Sequence, residues 1–252
     1  YEGSQTYVSE KALIGTQIQG RVEITKGDTT KVFVPIEVKY IYATDAGGAE
    51  IKDEVNGIWT WYRETAVNSG TYEKIVREKD TVGISDAYTP TAEDVGKKIY
   101  AVYTGAPEGI YSGSVESSKL NNVKRSEQAT PSDITVKQVN GTSVQIVLPT
   151  NMKTEGKTIA QPRLEYRIKN TVEWKQNSAG EAWIYDLKAN TEYEVRVLFE
   201  GTSEYEPSAY SSVITVKTGN QSFDEENLTI SEPDVLEVGK TITATFIGSG
   251  YD

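Results

Sequence analysis

Histidine and cysteine are both absent from this chain of 252 residues. Without cysteine there can be no disulfide, no thiolate nucleophile and no thiolate metal site. Without histidine the commonest general base, the commonest zinc ligand and the usual Ser or Cys triads are lost as well. Methionine occurs once, and no run of 18 or more apolar residues offers a transmembrane helix. Lysine and arginine form no cluster or stripe, which disfavours nucleic acid and anionic membranes as partners. A cysteine-free composition fits a reducing cytosol and a disulfide-free cell surface equally well.

The net charge of −11 is uneven. Residues 221–252 hold one Lys against seven acidic residues, leaving the two preceding stretches nearly neutral. The chain opens at Tyr1 with no basic or apolar leader, so a signal peptide and any anchor are expected to lie outside this segment.

Tyrosine is abundant, with 16 copies beside 4 Trp and 4 Phe, and aromatic and β-branched residues favour strands. Short, nearly alternating runs recur at Lys31–Tyr42, Ser143–Leu148, Tyr193–Phe199 and Ser212–Lys217. Turn signals fall between them at Lys26-Gly-Asp28, Ala46-Gly-Gly48, Asn68-Ser-Gly70, Asn140-Gly141 and Ala179-Gly180. No stretch keeps a 3.6-residue apolar period, so the expected fold is all-β, as tandem β-sandwiches. Polar stretches at 121–131 and 219–227 divide the chain into 1–125, 126–219 and an acidic linker with a partial third module at 220–252.

A nine-residue pattern, aliphatic-Gly-x-x-Ile-x-small-x-apolar, starts at Ile14, Val95 and Val238. Its Ile, small and final apolar positions are two apart and share a strand face: Ile18/Gly20/Val22, Ile99/Ala101/Tyr103 and Ile242/Ala244/Phe246. The first and third copies read as early strands and the middle copy as a late strand facing the first across a sandwich. The chain stops soon after the third copy, which therefore reads as the opening of a further module.

Within the first region, Ile58-Trp-Thr-Trp-Tyr-Arg63, Tyr88-Thr-Pro-Thr-Ala-Glu-Asp-Val-Gly-Lys97 and Tyr111-Ser-Gly-Ser-Val115 resemble the immunoglobulin-like repeats of Gram-positive cell-surface proteins. The resemblance implies that Trp61 lies in the core and that Asp94 and Gly96 form the corner before a late strand. Residues 129–218 resemble a fibronectin type III module. Leu187-Lys-Ala-Asn-Thr-Glu-Tyr193 matches its tyrosine corner, which implies structural roles for Leu187, Thr191 and Tyr193. In the same register, Ala129–Ile134 fits strand A, Leu164–Ile168 strand C and Ala209–Thr218 strand G. Strand B, Val144–Leu148, lacks the usual tryptophan, and Trp174 or Trp183 is the candidate to fill that volume.

No acid cluster, activated nucleophile or phosphate loop points to an enzyme. Glu50, Asp53 and Glu54, and again Asp224, Glu225 and Glu226, read as solvated charges, and no Ca²⁺ loop motif accompanies the latter group. Lys26-Gly-Asp28 reads as a hairpin turn. Glu165, Arg167, Glu194 and Arg196 read as a solvated ion-pair ladder. If Trp59 and Trp61 face inward, Tyr62 and Tyr100 face outward on neighbouring strands. Joined by Tyr111, they are the candidate ligand-binding residues, with a stabilising cross-strand pair as the alternative. No cofactor and no metal is expected.

The expected role is a monomeric, non-catalytic spacer or adhesion module of an exported bacterial cell-surface protein. Its partners would be a glycan or an extracellular-matrix protein. The alternative is a set of accessory modules of a secreted glycan-degrading enzyme.

Overall fold

The structure is a computed structural model and describes residues 16–27, 29–44, 47–50, 57–106, 111–220, 228–231 and 243–246. It is all-β: among the described residues the only helical turn is a 3₁₀ segment at Ala92–Asp94. The chain divides into two compact units. One contains Tyr1–Gln128, Thr154–Ile159 and Gly201–Pro207, and the other contains the remaining residues.

The first unit carries β1 (Thr16–Gln17), β2 (Gly20–Lys26), β3 (Ile36–Tyr42), β4 (Ile58–Glu64), β5 (Tyr72–Lys74), β6 (Thr81–Val82), β7 (Ser85–Tyr88), β8 (Ile99–Thr104), β9 (Tyr111–Ser112) and β10 (Ser114–Glu116). One sheet has the order β2-β3-β7, and the other has β10-β8-β4-β5 with β6 also on β4. β1 pairs in parallel with β9. The run expected from Lys31 becomes a strand only at Ile36, because Phe33 takes a left-handed φ of 65° and Pro35 has no N–H to give a ladder.

Alternation makes this sandwich. Ile36, Val38 and Tyr40 of β3 are buried, as are Trp59 and Trp61 of β4 and Ile99, Ala101 and Tyr103 of β8. The early copy of the repeated motif supplies Ile18 and Val22 and the middle copy supplies Ile99, Ala101 and Tyr103 to one core cluster. At the small position of the first copy, a Cβ on Gly20 would lie 2.4 Å from the Ile41 carbonyl and 2.8 Å from the Tyr40 hydroxyl. No disulfide ties the sheets; aromatic rings do. Tyr40 of one sheet stacks on Tyr103 of the other at 4.5 Å, and Trp59 packs on Tyr103 at 4.7 Å. Each such pair adds about 0.5–1.5 kcal/mol beyond its buried area.

The second unit carries β11 (Thr135–Val139), β12 (Val144–Val147), β13 (Pro162–Ile168), β14 (Lys175–Gln176), β15 (Trp183–Ile184), β16 (Glu192–Phe199) and β17 (Ile214–Lys217). Three strands, β11-β12-β15, face four, β14-β13-β16-β17. The first strand starts at Thr135 and not at Ala129. Pro131 cannot donate to a ladder, and Asn151 instead ties the segment, accepting from Ser132 N at 2.9 Å and donating to Thr130 O at 2.8 Å. The core is aliphatic around Tyr193, with Val144, Ile146, Leu164, Ile184, Val195 and Val197 among its members. Neither Trp174 nor Trp183 belongs to it, which corrects the expectation for the missing strand-B tryptophan.

Beyond these, β18 (Leu228–Ser231) and β19 (Thr243–Phe246) pair antiparallel, with Leu228 opposite Phe246. β19 is the end of the third motif copy; Ile242 lies outside the described residues.

Candidate ligand-binding face

β4 and β8 run antiparallel, with Trp61 opposite Ala101 and Tyr62 opposite Tyr100. Because side chains alternate, a register that buries Trp61 and Ala101 must turn Tyr62 and Tyr100 to the outer face. Their rings stack there, 5.2 Å apart and 17° from parallel. Tyr72 of β5 completes the group, meeting Tyr100 at 5.0 Å and 87°. Lys119 sets its Nζ 4.7 Å from the Tyr100 centroid and 5.4 Å from that of Tyr72.

Tyr111 is placed differently: it lies on β9 and packs against the inner core cluster. Tyr72 and Lys119 were not singled out in the sequence. Tyr72 could have been, since the Asn68–Gly70 turn closes a hairpin that sets Glu64 opposite Tyr72. Lys119 could not. Just past β10, Ser117 N bonds Ala101 O at 2.8 Å, but the next bond, to Ile99 O at 2.9 Å, comes from Leu120. That is one residue more than a regular ladder uses, so Leu120 turns into the core and Lys119 turns out.

Burial raises the Tyr100 hydroxyl pKa above its ordinary value, and the negative charge of Glu116 adds to the shift. Tyr72 is raised in the same way, by burial and then by the charge of Glu64.

A network of polar groups holds β4 beneath this face. Trp61 Nε1 donates to Asp86 Oδ2 at 2.8 Å, and Asp86 also pairs with Arg77 at 2.7 Å. Asp94 is fully buried at the end of the 3₁₀ turn. It accepts from Tyr88 Oη at 2.6 Å, from Thr91 N at 2.8 Å and from Arg63 Nη1 at 3.4 Å. Burial, and then the bond to Asp94, push the Tyr88 hydroxyl pKa well above its usual range. Burial works against the Arg63 charge, but Glu93, Glu73 and Asp94 outweigh it and raise the pKa of the guanidinium. Gly96 follows with φ of +81° and donates its N–H to Val123 O at 2.8 Å. Glu64 is buried and accepts from Lys98 N at 3.0 Å and Gly70 N at 3.2 Å. The Lys98 bond is the largest cause of its lowered pKa.

In the second unit, Leu187 and Tyr193 are both buried. Tyr193 Oη accepts the Lys188 N–H at 2.8 Å. Thr191 Oγ1 donates to Ala189 O at 2.8 Å, and Thr191 N donates to Thr218 Oγ1 at 2.9 Å. Asn190, between them, takes a left-handed φ of 48°.

The ion-pair ladder is not the solvated one expected. Glu165 is only 2% exposed. Its Oε2 accepts from Arg196 Nη2 at 2.7 Å and Nε at 3.0 Å, and its Oε1 accepts from Tyr210 Oη at 3.1 Å. The Arg196 guanidinium lies over the Trp174 ring at 4.0 Å and over Tyr210 at 3.6 Å, and Arg167 lies over Trp174 at 4.4 Å. Aromatic rings cover this face of β13 and β16 and exclude the water that sequence alternation alone would allow.

Of the acidic groups noted in the sequence, Glu50 is exposed and bridges Thr44. Asp28, Asp53, Glu54, Asp224, Glu225 and Glu226 lie outside the described residues. Among the described residues, no group of three or more His, Cys, Asp or Glu could hold a metal ion. No helix among them is long and apolar enough to cross a membrane.

No family model and no curated protein matches this chain. Solved structures similar to it include a two-domain fibronectin type III segment from chicken tenascin. That match has a TM-score of 0.42 and 10% identity, covering 79% of this chain and 98% of that one. The chicken CNTN1 FN1–FN3 domains give 0.33 and 12%, covering 82% and 67%. Domains A168–A170 of titin give 0.31 and 17%, covering 79% and 60%. Likenesses this distant carry no argument of their own. Strand order and burial carry the assignment: tandem all-β sandwiches of the immunoglobulin-like and fibronectin type III-like kind.

Proposed function

We propose that this chain is a non-catalytic spacer and adhesion segment of a larger exported bacterial cell-surface protein. It comprises an immunoglobulin-like module over 1–125, a fibronectin type III-like module over 126–219 and the opening of a further immunoglobulin-like module over 220–252. The resemblance to Gram-positive surface repeats supports the setting. One observation carries the adhesive role: Tyr62, Tyr72 and Tyr100 gather on the outer face of a sheet whose core is already filled by Tyr40, Tyr103, Trp59 and Trp61. Amphipathic rings outside the core offer contact area to a glycan or an extracellular-matrix protein.

The test is binding of the 1–252 chain to an array of glycans and matrix proteins, beside Tyr62→Ala/Tyr100→Ala with its fold checked by circular dichroism. Specific binding lost in the variant is the expected result. Binding that survives the double substitution moves the adhesive role to another face, and none by either protein leaves the spacer role.

A further inference from the structure

Tyr72 and Tyr100 meet nearly at a right angle, 87° with centroids 5.0 Å apart, and Tyr62 stacks on Tyr100. The corner already holds a cation, because Lys119 Nζ lies over both rings at 4.7 and 5.4 Å. A carboxylate stands beside it: Glu116 Oε2 is 3.7 Å from the same Nζ. Ring faces and a neighbouring carboxylate together make a negative environment suited to an organic cation, in which the ring quadrupole attracts charge and the methyl groups of an alkylated ammonium find apolar surface.

Lys119 is a weak occupant of that corner. Its side chain is 46% exposed, and a primary ammonium is strongly hydrated, so little free energy holds it against the rings. A quaternary ammonium has no N–H to leave unsatisfied and sheds its water at lower cost.

We propose that the Tyr62–Tyr72–Tyr100 corner binds a quaternary or methylated ammonium group, with Lys119 as a built-in competitor that the ligand displaces. This rests on reading the same face as the contact surface and names the ligand chemistry it selects. At an exposed cation–π site the affinity for the isolated head group is on the order of tens of millimolar.

The experiment is an NMR titration of the 1–252 chain and of Lys119→Ala with choline, and with its uncharged isostere 3,3-dimethyl-1-butanol, following the Tyr62, Tyr72 and Tyr100 ring resonances. Choline should move all three and the isostere should not. Lys119→Ala should bind choline about three- to tenfold more tightly, since the competing cation is gone. No movement in either protein, an equal response to the isostere, or unchanged choline affinity in Lys119→Ala would overturn the proposal. The array measurement fails separately: array binding without a choline response rejects the ammonium ligand and keeps an adhesive face, whereas a choline response without array binding keeps the site and rejects the arrayed ligand classes.

Discussion

Replacing Glu165 by Ala distinguishes a buried ion pair from a solvated ladder. An exposed pair is worth about 0–1 kcal/mol, whereas removing one member of a buried pair costs about 3–5 kcal/mol because the other charge is stranded. Glu165 is 2% exposed, and the side chain of its partner Arg196 is 23% exposed. Arg196 would keep Trp174 and Tyr210 on its faces and some contact with water, so the lower end of the buried range applies, about 3 kcal/mol. Tyr210 Oη would lose its acceptor as well. With a urea slope of about 1.5 kcal/mol/M for a domain of this size, the midpoint should fall by about 2 M. Because Trp residues occur in both units, the transition is best read by hydrogen-exchange mass spectrometry of the β16 peptide, Glu192–Phe199, across a urea series. Glu192→Ala is the control: its Lys169 partner is 38% exposed and Glu192 itself 50%, so its cost should be at most about 0.5 kcal/mol. Glu165→Leu/Arg196→Leu removes both charges and should cost less than Glu165→Ala alone. A Glu165→Ala cost near that of Glu192→Ala would refute the burial argument.

Three further outcomes follow from the corners. Tyr193→Phe removes the acceptor of the Lys188 N–H and should destabilise the second unit by about 1–3 kcal/mol in urea unfolding, without altering the first. Gly96→Ala places a Cβ at φ +81° and 2.9 Å from Val67 Cγ2; it should cost about 1–2 kcal/mol, measured as a lowered midpoint of the first unit. The Glu64 carboxyl has its pKa lowered in the folded state, so its contribution is complete above the ordinary value of 4.5 and is lost as pH falls through the folded value. Acid titration of first-unit stability should therefore be shallower in Glu64→Gln than in the parent between pH 4.5 and the lower folded value, and identical slopes there would refute the linkage.

Alternation and turn chemistry were enough to read an all-β chain, because a period of two in β-branched and aromatic residues has few other solutions. The same alternation sent Trp61 and Tyr62 to opposite faces of β4, and the register of β4 against β8 did the rest. The Leu-x-x-x-Thr-x-Tyr spacing likewise located Tyr193 and its corner, since that geometry is local: the donor at Lys188 is five residues from the ring.

What the sequence could not decide depended on contacts between distant strands. A one-residue shift just past β10 brought Lys119 to the tyrosines, and nothing local marks it. Trp174 reads as apolar core material, yet two arginines on neighbouring strands hold it outside the core, and the same packing buries Glu165, which reads as a solvated charge. Period and turn residues record how each segment meets its immediate neighbours; burial and electrostatics depend on which remote side chains arrive to exclude water, and that is decided only when the sheets close.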